Sequence, residues 1–116
     1  MRRDEAAYLL DMLLAAKDVQ EFSSGLTFEQ FAGNRLYQNA IFKSIEIIGE
    51  AATHVSEETK QKTPEIPWQD IIGTRNRLAH GYFQISLEVV WDIVEKDIPQ
   101  LIDLLKTLVP QEQSDI

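Results

Sequence analysis

The chain has 116 residues, 44% of them hydrophobic, no cysteine and a formal net charge of −8. That length suits one core and a single domain, 1–116, and the lack of cysteine excludes disulfides, thiolate chemistry and CxxC zinc motifs. A surface this acidic does not bind nucleic acid over its whole area, so any contact with RNA or DNA has to be local. No apolar run is long enough to span a bilayer, and Met1-Arg2-Arg3 leads into Asp4 and Glu5 rather than an apolar signal region. A cytoplasmic location is therefore expected.

Helical spacing dominates the chain, and no alternating strand pattern stands out. The first helix is predicted over about Asp4 to Phe22, with Tyr8, Met12, Ala15, Val19 and Phe22 on one face, ending at Ser23-Ser24-Gly25. Thr27 then caps a long helix to about Val55, with Gln30 placed as in a capping box. Its stripe is Tyr37, Ile41, Ile45, Ile48, Ala52 and Val55, and Gly33-Asn34 is a point where its first turns can separate. Ser56 to Pro67 reads as a polar connection. Pro67 fits the first position of a third, short helix that ends near Ala79, with Gly81 just beyond it. Ser86 caps a fourth helix with Glu88 in its first turn and a stripe of Leu87, Val90, Trp91, Val94, Ile98, Leu101, Leu105 and Leu108. Pro99 should kink this helix without ending it. Residues 110–116 are expected to fray. The fold class is all-α, an up-and-down bundle of four main helices.

Charge is unevenly spread. No Asp or Glu lies between Asp70 and Glu88, a window that holds Arg75, Arg77 and His80. A second acid-free window, between Glu29 and Glu46, holds Arg35 and Lys43. An anion is least repelled at these two places.

On a helical wheel Trp68, Ile71, Ile72, Leu78 and Ala79 form one apolar stripe with Arg75 inside it, whereas Arg77 points to solvent. A guanidinium in an apolar stripe is costly unless it meets an anion. Arg75 therefore pairs with a carboxylate of the long helix, Glu46 or Glu50, or lines a pocket that receives an anion from outside. His80 follows five residues later, about 7.5 Å along the axis, too far for direct contact but able to flank a phosphate. Tyr82 emerges from the turn beside it. Glu46, Glu50 and His54 recur every four residues on one face and form a conceivable metal set. Di-metal bundles, however, use Glu-x-x-His pairs on more than one helix, and none is present, so no metal or other cofactor is expected.

Arg75, four residues, His80, one residue, Tyr82 is the R-x4-H-x-Y signature of the HEPN superfamily. The stretch IPWQDIIGTRNRLAHGYF resembles the surroundings of that motif in HepT-like toxins. SIEIIGEAA (Ser44 to Ala52) is similar to their second-helix pattern, and VWDIVEKDIPQLIDLL (Val90 to Leu105) to their last helix with its internal proline. The resemblance covers nearly the whole chain. It implies a metal-independent ribonuclease that works as a two-fold homodimer, with both motifs facing one cleft. It also implies a minimal nucleotidyltransferase antitoxin as partner, which in some such pairs silences the nuclease by adenylylating the motif tyrosine, here Tyr82. Asn76, after the motif arginine, matches the family habit.

The chemistry agrees with these residue types. Metal-free RNA cleavage needs a base for the 2′-hydroxyl proton, an acid for the leaving 5′-oxygen and a cation on the phosphorane. Arg75 can supply the cation, His80 the proton transfer, and Asn76 can orient either. Tyr82 can act as a second acid or stack a base. One chain is otherwise short of a second proton-transfer group, since the remaining histidine, His54, is far away in sequence; two copies of His80 in a dimer would supply it. The competing reading is a non-catalytic nucleotide- or partner-binding helical module, in which Arg75 and His80 hold a ligand and cut nothing. A duplex-DNA binder is disfavoured because no basic stripe lines an exposed helix.

Overall fold

A computed structural model describes residues 4–81 and 85–110. Every regular element among them is helical: α1 (Glu5–Ser23), α2 (Phe28–Ala32), α3 (Arg35–Ala52), α4 (Glu57–Lys62), α5 (Trp68–Ala79), α6 (Leu87–Asp92), a π-helical turn (Ile93–Asp97) and α7 (Ile98–Lys106). The main packing is α1 along α3, α5 against the other side of α3, and α7 against α1. The long helix α3 is thus the centre of the bundle. Its apolar side carries Ile41, Ile45, Ile48 and Ala52, all buried. No described helix is long and apolar enough to cross a membrane.

Local chemistry explains the breaks. Thr27 and Gln30 form the expected capping box, and Asn34 caps α3 by accepting from the Leu36 and Tyr37 backbone N–H groups. The predicted long helix is therefore two helices, separated at Gly33-Asn34. Phe31 of α2 is fully buried, stacked on Trp91 and edge-on to Phe42, which pins the short helix to α3 and α6. The polar connection contains a helix that hydrophobic periodicity does not reveal. Helix α4 buries no residue; Ser56 caps it, Glu57 and Glu58 lie in its first turn and Lys60 and Lys62 in its last. Glu5 of α1 reinforces that cap, accepting from the Ser56 N–H at 2.6 Å and the Thr59 hydroxyl at 2.7 Å.

Pro67 stands at the cap of α5, one residue before the helical position expected for it. The interruption expected at Pro99 takes the form of the π-helical turn directly before it, closed by the Ile98 N–H donating to the Ile93 carbonyl. The fourth stripe then runs on as expected, with Val90, Trp91, Val94, Ile98, Leu101 and Leu105 buried. The stripes of the first and long helices emerge at their ends, where Phe22 and Tyr37 are exposed. The fraying expected of the chain end falls on residues of which 111–116 lie outside the described ones.

Candidate functional site

The site is built where α5 crosses α3. The two helices meet at Gly49: a Cβ placed there would lie 2.2 Å from the Arg75 Cβ, 2.9 Å from its Cγ and 3.0 Å from the Ile71 carbonyl oxygen. The bare glycine lets the Arg75 stem lie flat on α3. The Arg75 stem is thus packed into the α3–α5 contact, as the stripe implies, while its side chain remains partly exposed. The buried face of α5 is formed by Trp68, Thr74 and Leu78, with Ile71 and Ile72 half-buried, while Ala79 is exposed. The wheel misplaces Ala79 because the helix reaches the end of the bundle there. It also omits Thr74, whose hydroxyl is satisfied inside the helix by the Asp70 carbonyl at 2.8 Å.

Of the two partners considered for Arg75, Glu50 is the one engaged. One guanidinium nitrogen donates to Glu50 Oε2 and another to Asn76 Oδ1 at 2.8 Å. The Arg75 side chain retains 32% exposure and that of Glu50 51%, so this is a surface-edge pair and not a buried one. Two of the five N–H donors of a guanidinium are used in these bonds. The remaining donors can meet an external anion.

His80 caps the C-terminus of α5 and is exposed; its backbone N–H donates to the Asn76 carbonyl at 3.3 Å. Its imidazole makes no hydrogen bond or ion pair among the described residues. Gly81 follows at φ 135°, a conformation that favours glycine and turns the chain away from the helix. Arg75 and His80 thus share one helix end without touching. Asn76 is exposed between them and bonded to Arg75. Tyr82 lies outside the described residues.

The structure also brings in a residue that sequence separation had set aside. His54 Nε2 is 3.6 Å from Glu50 Oε1, so one carboxylate links the second histidine to Arg75. Glu50 and His54 are therefore occupied by Arg75 and by each other. Glu46 is not among their contacts, and no group of three potential metal-ligating side chains gathers among the described residues. The i, i+4 spacing of Glu50 and His54 was the available signal; its link to Arg75 arises only from the crossing of α3 and α5.

The exposed ridge of α3 between α1 and α5 carries Leu36, Lys43, Ile47, Glu50 and His54. Leu36 is 74% exposed and Ile47 40%. Lys43 has no ion pair among the described residues. The second acid-free window thus shares a face with the Glu50–Arg75 pair.

Several known proteins are similar to this chain. A Methanocaldococcus jannaschii protein named "Putative RNase MJ1380" is 37% identical over 100 residues, covering 86% of this chain and 92% of that protein. A second from the same organism, "Putative RNase MJ0127", is 33% identical over 119 residues and covers 99% of this chain and 98% of its own length. "Probable ribonuclease HepT" of Thermococcus cleftensis is 37% identical over 101 residues, covering 87% and 92%. No solved structure matches the chain. The family description "Ribonuclease HepT-like" matches residues 12–108, a span that includes the whole α3–α5 crossing: the chain belongs to the HepT-like ribonuclease family.

Proposed function

We propose that the protein is a metal-independent endoribonuclease, the toxin of a type VII toxin–antitoxin pair, acting through Arg75 and His80. The observation that carries this reading is the partly exposed Arg75 side chain with N–H donors to spare, on the same helix end as an exposed His80 imidazole that has no hydrogen bond or ion pair among the described residues. Arg75 binds the scissile phosphate and stabilises the charge that builds on its oxygens. The 2′-oxygen attacks phosphorus as a base removes its proton; the P–O5′ bond breaks, and the 5′-oxygen takes a proton from an acid. His80 performs one of these transfers, and His80 of a second copy performs the other. Asn76 holds Arg75 in place, and Tyr82 supports the site.

Homodimerisation is supported by the exposed Leu36 and Ile47 on the ridge that carries Glu50. A minimal nucleotidyltransferase antitoxin is the proposed partner, silencing the nuclease by adenylylation of Tyr82, with both proteins in the cytoplasm. A second reading, the non-catalytic nucleotide- or partner-binding module, is favoured by one feature: Glu50 occupies Arg75 in the free chain and any phosphate must compete with it.

Cleavage of total cellular RNA in excess EDTA separates the two. Wild type should cut and His80→Ala should not, while both give the same oligomeric mass. Equal cutting by both would mean that the cleavage does not come from this site. An inactive wild type whose intact mass shows no adenylyl group would favour the module.

A further inference from the structure

Glu50 connects Arg75 to a pair of stacked rings on the opposite side of the α3 ridge. The His54 imidazole lies on the Tyr8 ring of α1, with centroids 4.5 Å apart and planes inclined by 16°. Tyr8 is half-buried, and the His54 side chain is 49% exposed. Helix α1 therefore backs the imidazole while about half of its surface faces outward. Val55, next to it in the chain, is buried in the core, whereas the His54 ring is not. A flat ring held rigid from behind and open in front is the surface on which proteins stack single-stranded bases.

Position adds to shape. The guanidinium of Arg75 donates to one oxygen of the Glu50 carboxylate, and the imidazole of His54 lies 3.6 Å from the other. They therefore flank a single carboxylate, a neighbourhood that a phosphate and the adjacent base of one strand can reach together. We propose that the His54–Tyr8 pair is a base-stacking subsite for single-stranded RNA. An RNA strand whose phosphate rests on Arg75 lays an adjacent base over His54, and the Glu50 carboxylate at the platform's edge accepts an N–H from that base. The proposal rests on the RNA-cleaving reading of Arg75 and His80 and adds to it a determinant of how the strand is held.

Binding separates the two ideas. The probe is a fluorescent 2′-O-methyl oligoadenylate, which lacks the 2′-hydroxyl and cannot be cleaved. Anisotropy is read for the full chain, His54→Ala, His54→Leu and His54→Phe. Leucine preserves bulk against Tyr8 without a stacking face, and phenylalanine preserves the face. Alanine and leucine should weaken binding roughly tenfold, and phenylalanine should stay within about threefold of wild type. An abasic residue scanned along the oligonucleotide should reduce wild-type affinity at one position and leave His54→Leu unaffected at it, a coupling that a purely structural histidine would not produce. Leucine and alanine variants that bind as wild type, or an abasic penalty equal in wild type and His54→Leu, overturn the subsite while leaving RNA cleavage standing. If the unaltered protein neither binds the oligonucleotide nor cuts RNA, the subsite and the ribonuclease reading fail together.

Discussion

Alanine at position 49 should destabilise the protein, although glycine-to-alanine changes inside helices ordinarily stabilise by about 0.5–1 kcal/mol. Carbon atoms in contact sit roughly 3.5–4.0 Å apart. The new methyl would lie 2.2 Å from the Arg75 Cβ and 3.0 Å from the Ile71 carbonyl oxygen, so it falls short of the lower contact limit by about 1.3 Å at Arg75. Neither neighbour is the free end of a flexible chain, so α3 and α5 have to move apart. Overpacking that shifts backbone costs about 1–3 kcal/mol. After the gain in helix propensity, a net loss of about 1–2 kcal/mol remains for Gly49→Ala. For a chain of this size that is a fall of about 4–8 °C in Tm. Gly73→Ala on α5 is the matched control: nothing lies within 4 Å of its hypothetical Cβ, so it should gain about 0.5 kcal/mol. Urea unfolding followed by far-ultraviolet circular dichroism, with unchanged m-values, reads both. A Gly49→Ala midpoint at or above wild type would refute the close-approach argument, and with it the reason Arg75 lies where it does.

Three further effects are expected. Hydrogen bonds from Ser56 and Thr59 hold the Glu5 carboxyl below its ordinary pKa. A lowered folded-state pKa contributes stability above the carboxylate's ordinary range and loses it as pH falls through the lowered value. Glu5→Gln should thus cost roughly 0.5–1 kcal/mol at pH 7, allowing for solvent screening, with the difference closing in acid; a constant difference down to pH 2 would be the wrong result. Asp97 behaves oppositely: partial burial, then the charges of Asp92 and Asp70, raise its pKa. The charged form is disfavoured in the fold, so Asp97→Asn should gain up to about 0.5 kcal/mol at pH 7 and nothing below the carboxylate range. Thermal melts across pH 3–8 would expose an error in sign. Glu50→Ala removes the acceptor from the guanidinium of a partly exposed side chain, at about 1 kcal/mol. The loss should be smaller at high salt, and a salt-independent loss would mean that packing and not charge is at stake.

Much of the fold is legible because helices declare themselves locally. Caps at Thr27 and Ser86 satisfy backbone donors within four residues of themselves, and the apolar stripes of α1, α3 and the last helix repeat at the helical period. Helix α4 is the exception that shows the mechanism: with no buried side chain it has no stripe, and only its cap and charge order betray it. The motif residues Arg75, Asn76 and His80 are equally visible, since sequence spacing alone puts them on one helix end.

What the sequence could not decide is which carboxylate meets Arg75, and that His54 belongs to the same network. Glu46 and Glu50 are one turn apart and chemically alike. The choice between them depends on where α5 crosses α3, and that crossing is set by the one position, Gly49, where a missing Cβ lets the helices touch. His54 is 21 residues from Arg75 in the chain and becomes its neighbour only through Glu50 and the packing of α1 against α3. Local spacing determines which faces a helix has; the contact between two helices determines which residues those faces bring together.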